Sequence, residues 1–163
     1  MDQSATYQMR GNRVSPMKVD EITNKAINFC NEFGLTPRRK KKKRYDDVFE
    51  MLAYYGITLD VMEDRAWEKI TLDLTIGHCD PSTLTITVPK RIYEMASMGE
   101  RSALSIMMHE LGHLLLGHKP VLHFSNTHPL QIEDAEWQAD TFAEVVLERM
   151  GYSMAQLTFD FYM

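Results

Sequence analysis

The chain has 163 residues, of which 44% are hydrophobic and 25% are charged, with a formal net charge of −5. These values are ordinary for a globular protein and predict one domain that is long enough to bury a core. No stretch approaches the roughly 18 consecutive apolar residues of a membrane span, and the polar N-terminus lacks a signal peptide's apolar core. The two cysteines form neither a C-x-x-C pair nor a disulfide framework. A cytoplasmic setting is therefore expected.

The N-terminal part of the chain divides into a polar segment and a helix. Residues 1–14 are polar and are predicted to be flexible, so a single domain is expected to span residues 15–163. A helix is predicted to begin at Ser15 and to end near Phe33, because its apolar residues fall on one stripe. Cys30 lies on that stripe, which is typical of a small core residue.

A run of seven basic residues, Arg38–Arg44, holds a large share of the 18 lysines and arginines in the chain. Adjacent cations repel each other, so the run is expected to form a solvated loop. The alternative is contact with nucleic acid or with an acidic partner. The run contains no interleaved aromatic residues and no known nucleic-acid-binding motif. The sequence therefore does not support recognition of specific nucleotide bases.

A second helix is predicted over residues 45–55, and signals for strands follow it. Apolar residues alternate with polar ones in three runs, which lie at residues 57–61, 72–76 and 84–88. A turn-rich link between the last two runs predicts a hairpin. His78 and Cys79 lie near that link and are interpreted as a surface turn, because a single His-Cys pair is a weak metal signal.

The most informative stretch is HELGH at residues 109–113, inside an apolar run that predicts a central, buried helix. Residues four apart lie roughly 40° from each other around a helix, so His109 and His113 can reach one metal ion. Glu110 projects about 100° from His109, where it can take a proton from a water that zinc has made acidic. The alternative is an ordinary buried helix, but a buried glutamate without a partner costs several kcal/mol.

A glycine, Gly112, lies within this predicted helix. Glycine in a helix interior costs up to ~1 kcal/mol relative to alanine. The predicted reason for its presence is the close approach of another backbone.

Three further histidines, His118, His123 and His128, lie on a predicted loop after this helix. The extended zinc motif H-E-x-x-H-x-x-G-x-x-H would need glycine and histidine where the chain has Leu116 and Lys119. His118 is therefore interpreted as a cation favoured by the dipole at the helix C-terminus. His123 and His128 are candidates for overhanging the site and binding the oxyanion, and either one is an alternative third ligand.

A last long helix is predicted over residues 131–150, and it places Glu136 and Asp140 on one face because they are four residues apart. Glu136 is the candidate third zinc ligand, which would leave the fourth position for water. Asp140 would then accept the free ring N–H of one histidine and fix its tautomer. The alternative is an exposed acidic face, since acidic residues are common in this segment.

HELGH followed by EWQADTFA at residues 136–143 resembles the ImmA/IrrE family of zinc metallopeptidases and, more distantly, the gluzincins. The resemblance covers roughly residues 45–150. It implies an α+β, minimal zincin-like fold: a small antiparallel three-stranded sheet on a helical core, with the HExxH helix at the centre. It also implies one zinc ion per chain, with roles for five residues. These would be the ligands His109, His113 and Glu136, the general base Glu110, and Asp140 in support.

The resemblance further implies a zinc-dependent endopeptidase that acts on a specific protein partner. Members of the family are bacterial, phage and mobile-element proteins, and several act on DNA-binding repressors. A helix-turn-helix repressor is therefore the expected partner. The alternative is a non-catalytic, zinc-stabilised regulatory protein that contacts a partner or nucleic acid through Arg38–Arg44. Glu110 favours the enzyme, because a structural zinc site needs no carboxylate base.

Overall fold

The computed structural model describes residues 7–35, 44–119 and 127–152. Within these ranges the chain forms six α-helices and three β-strands. The helices are α1 (Val19–Phe33), α2 (Asp46–Met51), α3 (Asp64–Thr71), α4 (Lys90–Ser97), α5 (Arg101–Leu115) and α6 (Ala135–Arg149). The strands are β1 (Thr58–Met62), β2 (His78–Asp80) and β3 (Thr85–Pro89). The protein is therefore of the predicted α+β class.

The helix that carries HELGH, α5, lies at the centre of the molecule, as its apolar composition predicts. It packs against α6, α4 and the sheet, and most of its apolar side chains are buried. Burial of a leucine or methionine side chain contributes about 1.5–3 kcal/mol, so this helix is a major part of the core. A Cβ added at Gly112 would lie 3.2 Å from the Cα of Ala139 on α6. This confirms the predicted close approach of another backbone.

The sheet has three strands in the order β1-β3-β2, but it is mixed rather than antiparallel. β2 and β3 form an antiparallel hairpin, as predicted for this region, but its first strand is residues 78–80 rather than the predicted 72–76. β1 pairs with β3 in parallel, with Thr58 opposite Thr85 and Met62 opposite Pro89. The chain between these two strands contains α3 and β2, and such a long crossover is what parallel neighbours require. The expectation of an all-antiparallel sheet is thus wrong in this one pairing.

The strand predicted over residues 72–76 does not form. The chain there leaves α3 through Leu72 and Asp73, whose φ angles of 55° and 56° are left-handed rather than extended. Leu74 is 85% exposed, so the alternating apolar residues have no core to face. The third strand is β2, which contains His78 and Cys79, and the interpretation of these two residues as a surface turn is also wrong.

Residues 7–14, which fall in the segment predicted to be flexible, are attached to the start of α6 through Asp134. This buried carboxylate accepts hydrogen bonds from the Tyr7 hydroxyl (2.6 Å) and from the backbone N–H groups of Arg10 (2.9 Å) and Gly11 (3.1 Å). Asp134 is also the N-cap of α6, because it accepts from the N–H of Glu136 at 2.9 Å. One side chain therefore aligns the N-terminal segment with the first turn of α6.

Two remaining predictions concern the ends of helices and the basic run. α1 begins at Val19, four residues later than predicted, and ends at Phe33, where Gly34 follows as a left-handed cap. The basic run lies outside the described residues except for Arg44, which pairs with Asp46 at 2.7 Å. In the described ranges, no helix has the length and apolar character that crossing a membrane would require.

Candidate metal centre

The two central helices bring together the three side chains proposed as zinc ligands. His109 and His113 lie on α5, and their Nε2 atoms are 3.2 Å apart. Glu136, on α6, places one carboxylate oxygen 3.1 Å from Nε2 of His109 and the other 2.9 Å from Nε2 of His113. The close packing of Gly112 on Ala139 allows these distances, because it brings the two helix backbones together.

These donor atoms fit a metal ion both in spacing and in chemistry. Neighbouring ligands of a tetrahedral zinc ion with bonds of about 2.0–2.1 Å lie about 3.3 Å apart, close to the separations seen here. The carboxylate of Asp140 lies 2.7 Å from Nδ1 of His109 and, when charged, can only accept a hydrogen bond. Nδ1 of His109 therefore carries a hydrogen, and in the neutral ring the lone pair of Nε2 is directed at Glu136. Such lone pairs repel one another unless a cation lies among them.

In the metal-free protein, a bound proton can relieve this repulsion between lone pairs. Burial alone would lower the pKa of His109, but hydrogen bonds to Asp140 and Glu136 outweigh burial and raise the pKa to about 10. Hydrogen bonds from His109 and His113 hold the pKa of Glu136 far below its ordinary value. The cluster thus binds positive charge strongly, and a metal ion would compete with protons for it.

Glu110 has an environment different from that of Glu136. It is buried, and burial raises its pKa, although the nearby His109 and His113 oppose this effect. Potential ligand atoms of Glu110 and the two histidines lie within 4.8 Å of one another. A carboxylate with a raised pKa beside the centre is suited to accept and return a proton, whereas the acidic Glu136 is suited to remain charged.

A cleft of about 920 Å³ gives access to these residues. Its lining includes Arg10 and Gly11 of the N-terminal segment. It also includes residues 75–79, of which the last two belong to β2. Gly77 lies directly beside Glu110: a Cβ added there would be 3.1 Å from one of its carboxylate oxygens. Cys79 also lines the cleft, and burial together with the neighbouring Glu110 raises the pKa of its thiol to about 12.

The structure shows that the interpretation of His118 as a cation at the end of α5 is wrong. Its ring is buried and lies between two partners, with Nδ1 2.8 Å from Nδ1 of His113 and Nε2 2.7 Å from Oε1 of Gln138. Burial is the main cause that lowers its pKa to about 4, so the ring is neutral. The available sequence signal was Gly117, a left-handed residue that turns the chain back onto the helix.

One of the two other candidates from the sequence, His128, is not brought to the centre. His128 is exposed and does not line the cleft. His123 lies outside the described residues, so its role stays a prediction. Arg10, which the sequence did not single out, does reach the site: its guanidinium lies 2.8 Å from Asp140.

Comparison with known families adds one finding. The model of the Peptidase M78 family, described as the IrrE N-terminal-like domain, matches residues 68–155, which is more than half of the chain. The match begins within α3 and includes β2, β3 and helices α4 to α6, and therefore all the residues of the candidate metal centre on α5 and α6. No curated protein and no solved structure matches the chain significantly.

Proposed function

The chain belongs to the Peptidase M78 family of IrrE N-terminal-like domains, and on this premise we propose that it is a zinc-dependent endopeptidase. The family supports a peptidase of the metallopeptidase type. The observation that carries the proposal is the convergence of donor atoms from His109, His113 and Glu136 at separations of 2.9–3.2 Å, with Glu110 beside them. One zinc ion per chain would be held by these three ligands.

Each residue of the centre would have a distinct task. When bound, zinc would polarise the scissile carbonyl and make the attacking water more acidic. Glu110 would take the proton from that water and return it to the departing amine, as its raised pKa favours. Asp140 would hold the ring of His109 by accepting its Nδ1 hydrogen at 2.7 Å.

The free edge of β2 offers a place for the substrate backbone. Among the strands that the structure describes, β2 has a neighbour on one side only, and it lines the cleft. A substrate segment that pairs with this edge would pass beside Glu110, because Gly77 leads directly into β2. We propose a specific protein partner as the substrate and, following the family resemblance, a DNA-binding repressor of a phage or mobile element in the cytoplasm.

Substitution of Glu110 by glutamine tests the proposal. The amide keeps the shape of the side chain but cannot accept the proton, so Glu110→Gln should keep its zinc and abolish cleavage. Zinc would be measured by elemental analysis, and cleavage by mass spectrometry of the repressor whose gene lies nearest. Cleavage by Glu110→Gln at the wild-type rate would exclude Glu110 as the base. Stoichiometric zinc without any cleavage by the wild type would favour the non-catalytic regulatory protein instead.

A further inference from the structure

The side chain of Gln138 is locked by three hydrogen bonds in the interior between α6 and the N-terminal part of the chain. Its Nε2 lies 3.0 Å from the carbonyl oxygen of Ser15 and 2.7 Å from that of Ile132. Carbonyl oxygens only accept, so this end of the amide must be the NH2 group. The amide oxygen therefore faces Nε2 of His118, at 2.7 Å. It follows that Nε2 of His118 carries a hydrogen and donates it.

The tautomer of His118 determines that of His113. Within the described part of the chain, the buried ring of His118 is hydrogen-bonded to a neutral amide and to another imidazole. Such surroundings favour a neutral ring, because desolvation penalises the charged form. With its hydrogen on Nε2, His118 presents a lone pair at Nδ1. Nδ1 of His113 lies 2.8 Å away, so it must be the donor of this hydrogen bond. When His113 is neutral, its lone pair is therefore on Nε2, the atom that faces Glu136 at 2.9 Å.

The opposite arrangement would leave several polar groups unsatisfied. If His118 carried its hydrogen on Nδ1, its Nε2 would need a donor, and the Gln138 amide would have to turn round. The amide oxygen would then face the carbonyl oxygens of Ser15 and Ile132 with no hydrogen between them. A buried acceptor without a donor is unfavourable, so the observed set of contacts selects one tautomer.

We propose that His118 is a positioning residue of the metal centre: it holds His113 in the Nδ1–H tautomer, which presents Nε2 to the metal, while Gln138 fixes His118 in turn. This role rests on the proposed use of His113 as a ligand. Under this proposal, different groups hold the rings of His109 and His113 in place. His109 is held by a carboxylate, Asp140, whereas His113 is held by an uncharged chain that ends on backbone carbonyls.

Two substitutions of similar size separate positioning from simple packing. In His118→Asn, the amide oxygen comes near the position of Nδ1 and can still accept from His113. In His118→Leu, no acceptor remains. Loss of such a support typically weakens metal binding about 10–100-fold, so we expect that loss for leucine and a change of only a few fold for asparagine. His128→Ala, an exposed histidine away from the cleft, is the matched control and should bind zinc as the wild type does.

Zinc affinity would be measured by competition with a chromophoric chelator, and folding by thermal unfolding of the metal-free proteins. Equal affinities for the leucine variant and the wild type would overturn the proposal. A wild-type protein that binds zinc but cleaves nothing would refute only the proposed function, whereas equal affinities with cleavage intact would refute only this inference.

Nitrogen-15 NMR of the zinc-loaded wild type provides a test that needs no substitution. We expect His118 to show a protonated Nε2 and a bare Nδ1, and His113 to show an Nδ1 hydrogen protected from exchange. A His118 ring that is protonated on Nδ1, or on both nitrogens, would overturn the proposal even if the leucine variant failed to fold.

Discussion

The guanidinium of Arg10 lies 2.8 Å from one carboxylate oxygen of Asp140, and the other oxygen of the same carboxylate lies 2.7 Å from Nδ1 of His109. An ion pair thus connects the N-terminal segment to the carboxylate that contacts His109. Both side chains of this pair are about half exposed, at 53% and 41%. Exposed pairs of this kind contribute about 0–1 kcal/mol.

Arg10 and Asp140 should therefore differ in their effects on metal binding. Asp140→Asn removes the charge next to His109 and should weaken zinc binding by about 10–100-fold. Arg10→Met keeps a long side chain but loses the ion pair, so we expect a loss of about fivefold at most, corresponding to about 1 kcal/mol. Zinc titrations at low and high salt would measure both, and only the Arg10 effect should shrink with salt. A loss for Arg10→Met as large as that for Asp140→Asn would contradict this ranking.

The identity of the third ligand can be decided by removing each candidate. Glu136→Ala leaves only two histidines, so the variant should lose zinc or bind it very weakly. His123→Ala and His128→Ala should bind zinc normally. Metal titration of the three variants makes the measurement. The assignment fails if either histidine variant loses its zinc while Glu136→Ala retains it.

Gly11 should be sensitive to the addition of a single methyl group. A Cβ at this position would lie 2.6 Å from Cγ of Glu136 and 3.2 Å from its backbone nitrogen. The first distance is too short for any real contact, so Gly11→Ala should displace Glu136 and weaken zinc binding. Asn12→Ala, in the same segment with an exposed side chain, is the control. Equal zinc affinity in the two variants would show that the segment moves away freely.

The stability of the metal-free protein should fall at alkaline pH. The pKa of His109 rises from 6.5 to about 10 in the folded state, so its contribution is complete below about pH 6.5. That contribution is lost as the pH rises through about 10. Zinc replaces the protons, so the zinc-loaded protein should not show this loss between pH 7 and 9.5. Thermal unfolding with a chelator or with zinc would compare the two, and parallel trends would contradict the prediction.

The centre could be predicted from sequence because its residues come in two local patterns. His109 and His113 on one helix, and Glu136 and Asp140 on another, are each four residues apart, and helix geometry alone places each pair on one face. The approach of the two helices was indicated only by Gly112. The distances between α5 and α6 depend on packing that no local pattern contains.

The failures of prediction have the same origin in contacts distant along the chain. Leu72, Leu74 and Ile76 alternate like a strand, but periodicity does not reveal whether a core lies opposite, and here solvent does. The sequence predicts that His118 is a cation at the end of the helix. Its hydrogen bond to Gln138, 20 residues later, depends on the tertiary fold and could not be predicted from the local sequence. Arg10 is separated from Asp140 by most of the chain, so its part in the centre depends wholly on the tertiary fold.

Under the proposed function, the short length of β2 would limit which proteins can be cut. The strand has only three residues. The backbone N–H and C=O groups of alternate residues in a strand point to opposite edges, so the free edge of β2 offers the backbone groups of at most two residues. Each backbone hydrogen bond contributes about 0.5–1.5 kcal/mol, so a bound segment would dissociate rapidly. Under the proposed function, a rigid partner would then leave before it reacts. Susceptibility to cleavage would follow how often the partner exposes an extended, unpaired loop, and a ligand that stiffens this loop would protect it.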